Sequence, residues 1–218
     1  MVSGTRRSLL ITAVVLLGVS YDPSTAAALS PQSAWSAYKG LLSARPLLTK
    51  SVTSAVLAGV SDSLTQRVES KIANDDTCHR HDWIRTSHIL TTGFVYSGPI
   101  SHYWFALLER IVKFQNPVLG LAGRLLLDAL LFSPFTIAGY FTIRTLLEGK
   151  GYDAIRLKLQ RAWAKSVLAA WKFWPAVNVV NFSIVPLPYR VLYVNVMALL
   201  WMGYLSFVNA QKSMQHKT

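Results

Sequence analysis

Residues 191–211 form a stretch of 21 positions without one charged side chain. As an α-helix this stretch is about 31 Å long, close to the roughly 30 Å hydrocarbon core of a bilayer. A lipid solvent is therefore the first constraint on the fold. Composition points the same way: 52% of the 218 residues are hydrophobic and 15% are charged, whereas soluble domains carry about 25% charged residues. Inside hydrocarbon every backbone polar group must be satisfied within the chain, which leaves helices or closed barrels. Barrel strands would alternate apolar and polar positions. The runs here are continuously apolar, which argues for helices.

Four earlier segments extend the pattern. Residues 47–66 are the most polar. Residues 87–108 follow, then 118–143, interrupted by Arg124 and Asp128, then 166–185, which carry Lys172. The expected fold is all-α, a polytopic membrane helix bundle with four to five transmembrane helices. Asn116-Pro117, Glu148-Gly149-Lys150-Gly151 and Val185-Pro186-Leu187-Pro188 mark its breaks. Gly98-Pro99 lies inside the second segment and predicts a kink or a split there, because proline removes a helix hydrogen bond.

Residues 1–30 read as a separate leader. Arg6 and Arg7 precede an apolar run at 9–19, and small residues follow at 24–28. These are the parts of a cleaved signal peptide, and the apolar run is too short to span a bilayer. The alternative is a membrane-associated N-terminal helix that is retained. Residues 31–218 form the helical membrane domain.

Lys and Arg outnumber Asp and Glu 22 to 10. The basic residues sit mainly between apolar runs, with four in 67–85 and six in 144–165. Both stretches fall on one side of the bundle, which becomes the positive side facing anionic lipid headgroups. No basic helix or aromatic platform stands clear of the apolar segments, so nucleic-acid binding is not expected.

The chemistry-bearing residues are few. Ser51, Ala55, Gly59 and Ser63 recur every four positions and give the first helix a small-residue face for close helix packing. Asp62 and Gln66 share a helix face, and Arg124 and Asp128 repeat that spacing with the signs of an ion pair. Ionisable groups at membrane depth usually face a bundle interior or a water-filled path. These residues read either as a polar lining or as internal pairs that fix helix register. Lys172, Asn178, Asn181 and Arg190 form a further polar set around Trp174-Pro175 and Pro186. Trp171, Trp174 and Tyr189 suit the headgroup level. Cys78, His79, His81 and Asp82 match no zinc spacing. Gly149-Lys150 lacks the glycine of a phosphate loop, since position 144 is Arg. His88 and His102 suit packing or hydrogen bonding. There is no nucleophile motif, so neither an enzyme, a metal nor a cofactor is expected.

One pattern is more specific. Trp174-Pro175, Asn181-Phe182, Pro186, Arg190, Trp201 and Tyr204-Leu205-Ser206 occur in an order that resembles the organelle membrane proteins typified by Mpv-seventeen, Sym-one and peroxisomal membrane protein twenty-two. Trp35, Tyr38, Pro46, Asp62, Gln66, Asp82, Arg85, Gly98-Pro99, His102, Trp104, Arg124, Asp128 and Pro134 extend the resemblance upstream. Departures are Asn178 and Ala129, where the family commonly has Gln, and Phe105, where it has Tyr. The resemblance implies a four-helix-type protein of an organelle membrane, first the mitochondrial inner membrane, with the peroxisomal membrane or another organelle reached through the signal-type leader as alternatives. It also implies channel-like activity linked to mitochondrial homeostasis, nucleotide supply and reactive-oxygen metabolism. The expected function is a channel or pore for small solutes, with a non-transporting scaffold or assembly protein as the alternative. The expected partner is the lipid bilayer, with homo-oligomer formation compatible with either reading.

Overall fold

The computed structural model describes residues 31–72 and 81–215, with side chains described for 31–70 and 81–202. The leader, Cys78 and His79 lie outside the described residues. The described chain is helical: α1 (Pro31–Ala44), α2 (Pro46–Ile72), α3 (83–111), α4 (Pro117–Leu147), α5 (152–183) and α6 (Arg190–Gln215). No strand occurs among the described residues. Helices α2 to α6 cover the five apolar segments. Helix α1 is an addition the apolar pattern does not announce, because most of its residues are exposed.

Local chemistry sets the boundaries. The α1–α2 corner falls at Arg45, ahead of Pro46. There the Thr49 hydroxyl donates to the Leu41 and Arg45 carbonyls at 3.0 and 2.8 Å. Asp82 caps α3 by accepting from the Arg85 N–H at 2.8 Å. Asn116 caps α4 by accepting from Val118 N–H, and Pro117 occupies the first turn, where its missing donor is harmless. Gly149, at φ +71°, supplies the left-handed residue that ends the turn after α4.

Each of α3, α4 and α5 contains one π turn, at Gly93–Ser97, Asp128–Phe132 and Leu159–Trp163. Two of them lie just before a proline, and of the kink or split expected at Gly98-Pro99 the split does not occur. The Gly98 N–H bonds back to the Gly93 carbonyl, and the Ser133 N–H to the Asp128 carbonyl. The wider turn accommodates Pro99 and Pro134, and both helices run on. The basic stretch 144–165 is not a loop either. It is the end of α4, a short turn and the first half of α5.

Helices α2 to α5 alternate in direction, and α6 packs chiefly along α2 while touching α5 little. Apolar packing concentrates at the end where α3 finishes, in Phe105, Leu108, Val112, Phe182 and Val191. Elsewhere the polarity is inverted. Thr49, Lys50, Ser54, Asp62, Asp128, Asn178, Asn181 and Arg190 are buried, while Ile84, Val118, Phe135 and Ile184 are at least 66% exposed. A water-soluble bundle would reverse this arrangement. Among the described residues, Pro117–Leu147 is the one helix both long and apolar enough to cross a membrane, and Leu187–Met202 is a shorter apolar stretch. The stretch without charge at 191–211 lies in α6, whose described side chains end at Met202.

Candidate functional site: three polar tiers and a half-open cavity

The residues singled out by sequence fall into separate places. Ser51, Ala55 and Gly59 are buried on the face of α2 that meets α3, and Ser63 donates to the Gly59 carbonyl within α2. The approach is close enough to require glycine on both helices. A Cβ on Gly98 would sit 2.5 Å from Ser51 Cα, one on Gly93 2.8 Å from Ala55 Cα, and one on Gly59 2.6 Å from Leu90 Cδ2.

The first polar tier joins α2 to the start of α3. Gln66 Nε2 donates to Asp62 Oδ2 at 2.8 Å and to Thr86 Oγ1 at 3.0 Å, and Gln66 Oε1 accepts from Asp82 N–H at 2.8 Å. Thr86 donates to the same Asp62 oxygen at 2.6 Å. Arg85 Nε lies 2.8 Å from Asp62 Oδ1, an ionic contact without a directed hydrogen bond, and Arg85 Nη1 bonds Glu69. The Glu69 hydrogen bond, then the Asp62 and Glu69 charges, raise the Arg85 guanidinium above its ordinary value despite partial burial.

The second tier crosses the middle of the bundle. Asp128, 5% exposed, accepts from Trp104 Nε1 at 3.0 Å and from Asn178 Nδ2 at 2.7 Å. Asn181, on the next turn of α5, is fully buried and 3.4 Å from Asn178 Oδ1. Trp104 stacks on Phe132 at 4.8 Å. One acceptor of α4 needs special provision. In the π turn the N–H of residue 134 would meet the Ala129 carbonyl, but residue 134 is proline. Trp171 Nε1 on α5 donates to that carbonyl at 2.8 Å. Trp163 Nε1 likewise reaches the Pro134 carbonyl at 2.9 Å, and Tyr96 OH the Thr136 carbonyl at 3.2 Å.

The third tier lies at the opposite end from the first. Glu109 of α3 accepts from Arg124 of α4 at 3.1 Å and from Arg190 of α6 at 2.5 Å. Arg190 also donates to the Val185 carbonyl and lies over the Phe182 ring. Two expectations need correction here. Arg124 and Asp128 do not pair, because Glu109 takes up Arg124 while Trp104 and Asn178 take up Asp128. The set of Lys172, Asn178, Asn181 and Arg190 does not come together: Lys172 is exposed, Asn178 and Asn181 belong to the second tier and Arg190 to the third. Trp171 donates to an α4 carbonyl, and Trp174 faces the bundle interior. Tyr189 does lie at a helix end, stacked 5.4 Å from Trp35 of α1. Tyr204, Leu205 and Ser206 belong to α6, and their side chains lie outside the described residues.

Sequence reasoning misses several participants. Glu109 is the acid common to two arginines; its signal is a lone carboxylate one position beyond an apolar run. Lys50 is 4% exposed, with Nζ 3.1 Å from His102 Nδ1. An ammonium only donates, so the imidazole presents its acceptor nitrogen. Asn195 of α6 donates to Ser54 of α2 at 2.7 Å. Among the described residues no group of three or more His, Cys, Asp or Glu could hold a metal ion.

Between α3, α4, α5 and α6 lies a half-open cavity of about 420 Å³, within the usual span of ligand pockets. Its walls are mostly apolar. Asp128 and Asn178 supply polar atoms at one end, beside Phe105, and all three residues are buried there. Toward the other end the lining residues Tyr140 and Ala169 are exposed. The cavity is thus closed at the level of Asp128 and open toward Tyr140. Of the polar residues singled out from sequence, Asp128 and Asn178 line it.

Comparison with known proteins places these features in a family. The model of the Mpv17 / PMP22 family matches residues 145–206. Protein SYM1 of Gibberella zeae is 38% identical over 176 residues, covering 80% of this chain and 96% of that protein. Peroxisomal membrane protein 2 of Bos taurus is 32% identical, covering 81% of this chain and 89% of its own length. Mitochondrial inner membrane protein Mpv17 of Xenopus laevis is 32% identical, covering 82% and 98%. No solved structure matches. With such identity over nearly the full length of each relative, the chain belongs to the Mpv17 / PMP22 family.

Proposed function

We propose that this protein is a polytopic protein of an organelle membrane, mitochondrial inner or peroxisomal, with four or five helices across the bilayer. In this reading it admits small solutes into the chamber between α3 and α6. The inverted polarity supports the membrane assignment: buried polar groups bond across helices while large apolar side chains face outward. The family names of its relatives support the compartments. The observation that carries the solute reading is the half-open cavity, with Asp128 and Asn178 at its closed end. The Trp104–Asp128–Asn178 bridge acts as a plug that must part for passage.

Proteoliposomes loaded with small neutral and charged solutes test this reading. Purified protein is expected to give flux, and Asn178→Ala, which removes one arm of the plug, is expected to raise it. Absence of both flux and conductance, unchanged by Asn178→Ala and Asp128→Asn, would sink it.

A second reading is a non-transporting membrane scaffold. It is favoured by the first and third tiers, where Asp62, Gln66, Arg124 and Arg190 are taken up by interhelix bonds away from the cavity. Crosslinking in native membranes separates the two: a stable hetero-complex without flux supports the scaffold.

A further inference from the structure

The cavity wall is mostly apolar, dominated by side chains such as Phe105, Phe132, Ile137, Phe141 and Trp174. From Asp128 to Phe141 it follows α4 for about 20 Å at about 1.5 Å per residue, closed at one end and open at the other. Such a slot suits a long apolar chain that enters from its open end.

The open end is also cationic. Lys158 of α5 places Nζ 5.8 Å from the centre of the Phe141 ring. Arg144 lies one helical turn beyond Tyr140. Its Nη1 is buried and has no hydrogen-bond partner among the described residues, and its Nη2 is 3.8 Å from Glu148. A buried donor left unmet is unfavourable, and a charged oxygen arriving beside it would remove that penalty. Arg156, Arg161 and Lys165 continue the positive charge along α5, and Arg156, Arg161 and Lys165 are exposed.

We propose that the cavity binds one acyl chain of an anionic phospholipid from the surrounding leaflet. The phosphate lies at Arg144 and Lys158, and the chain runs inward past Phe141 and Trp174 toward Asp128. The inference rests on the same cavity as the solute reading and gives it a regulator, because a bound chain occupies the space a solute would need.

Full-length protein in phosphatidylcholine nanodiscs tests the proposal with three probes in turn. They are chain-spin-labelled phosphatidylglycerol, chain-spin-labelled phosphatidylcholine and spin-labelled stearic acid, each read by the motionally restricted fraction of the spectrum. Restriction is expected for phosphatidylglycerol above phosphatidylcholine. Arg144→Gln and Lys158→Gln are each expected to weaken it about fivefold, which is about 1 kcal/mol at about 1.4 kcal/mol per decade. Ala169→Phe, at the exposed mouth, should abolish restriction without disturbing a buried position. Ala170→Phe fills the slot from within and provides an independent check. Equal restriction of both phospholipids, or restriction indifferent to Ala169→Phe and Ala170→Phe, overturns the proposal. Restriction of stearic acid alone overturns the phospholipid source. Lipid restriction without solute flux leaves this proposal standing and removes only the passage reading.

Discussion

Replacing Glu109 with Gln should be among the most damaging single changes in the bundle that keep side-chain shape. The carboxylate is the shared acceptor for Arg124 at 3.1 Å and Arg190 at 2.5 Å, and the three side chains are 20%, 7% and 30% exposed for Arg124, Arg190 and Glu109. Gln retains the volume and can accept one hydrogen bond, but both guanidinium groups lose their counter-charge. Breaking a well-buried pair costs about 3–5 kcal/mol. Glu109 is nearly one-third exposed, so solvent screening lowers the figure to about 2–3 kcal/mol. For a chain of this size that corresponds to a fall in Tm of roughly 5–10 °C.

Thermal unfolding in detergent, checked by denaturant titration, measures the loss. Arg190→Gln should cost more than Arg124→Gln, because Arg190 is the more buried and also holds the Val185 carbonyl. The decisive measurement is the double variant. If Glu109→Gln and Arg190→Gln add to within about 0.5 kcal/mol, the two residues are energetically independent and the reasoning fails. Raised salt should change the wild-type value little, since partly buried charges are weakly screened.

Three further outcomes follow from the packing. Gly98→Ala places a methyl 2.5 Å from Ser51 Cα; separation of α2 from α3 should lower stability by about 1–3 kcal/mol in the same assay, and a wild-type Tm would show that the helices stand farther apart. Trp171→Phe removes the donor to Ala129 O and should cost about 1 kcal/mol. In a Pro134→Ala background the restored N–H should reduce that cost, so an equal cost in both backgrounds would exclude the pairing. Asp62→Asn turns an acceptor that faces Gln66, Thr86 and Arg85 into a partial donor. It should accelerate amide hydrogen exchange at the start of α3, and unchanged exchange there would count against the first tier.

The helices were legible because lipid leaves few alternatives to long apolar runs, so 47–66, 87–108, 118–143 and 191–211 each fall within one helix, and 166–185 overruns α5 only by its last two residues. Helix α1 lacked such a run and gave no comparable signal. Local spacing was an uneven guide to polar partners. Asp62 and Gln66 are four apart and bond as spacing suggests, whereas Arg124 and Asp128 share the spacing and do not. The difference is tertiary competition: Glu109 lies within reach of Arg124, and Trp104 and Asn178 surround Asp128. Glu109 is 81 residues from Arg190 and Asn178 is 50 from Asp128, and contacts at that separation leave no periodic trace. The cavity was illegible for the same reason, since it is a gap among four helices rather than a property of one.

That gap follows from how the two sides of the bundle are made. Lipid offers little hydrophobic drive for helices to associate, so contact depends on close backbone approach and on polar bonds. On the α2–α3 side, Gly93 and Gly98 meet Ala55 and Ser51, and the backbones come as near as main-chain atoms allow. Between α4 and α5 the contacts are long side chains instead: Trp171 and Trp163 reach across to α4 carbonyls, and Asn178 extends to Asp128. Indoles and amides hold the helices at arm's length while fixing their register. One side of the bundle is therefore tight and the other spaced, and the spacing is itself bonded rather than slack. A substitution that shortens the indole arms, at Trp171 or Trp163, should collapse the cavity before it unfolds the bundle. A ligand held in that cavity therefore depends on Trp171 even where it does not touch it.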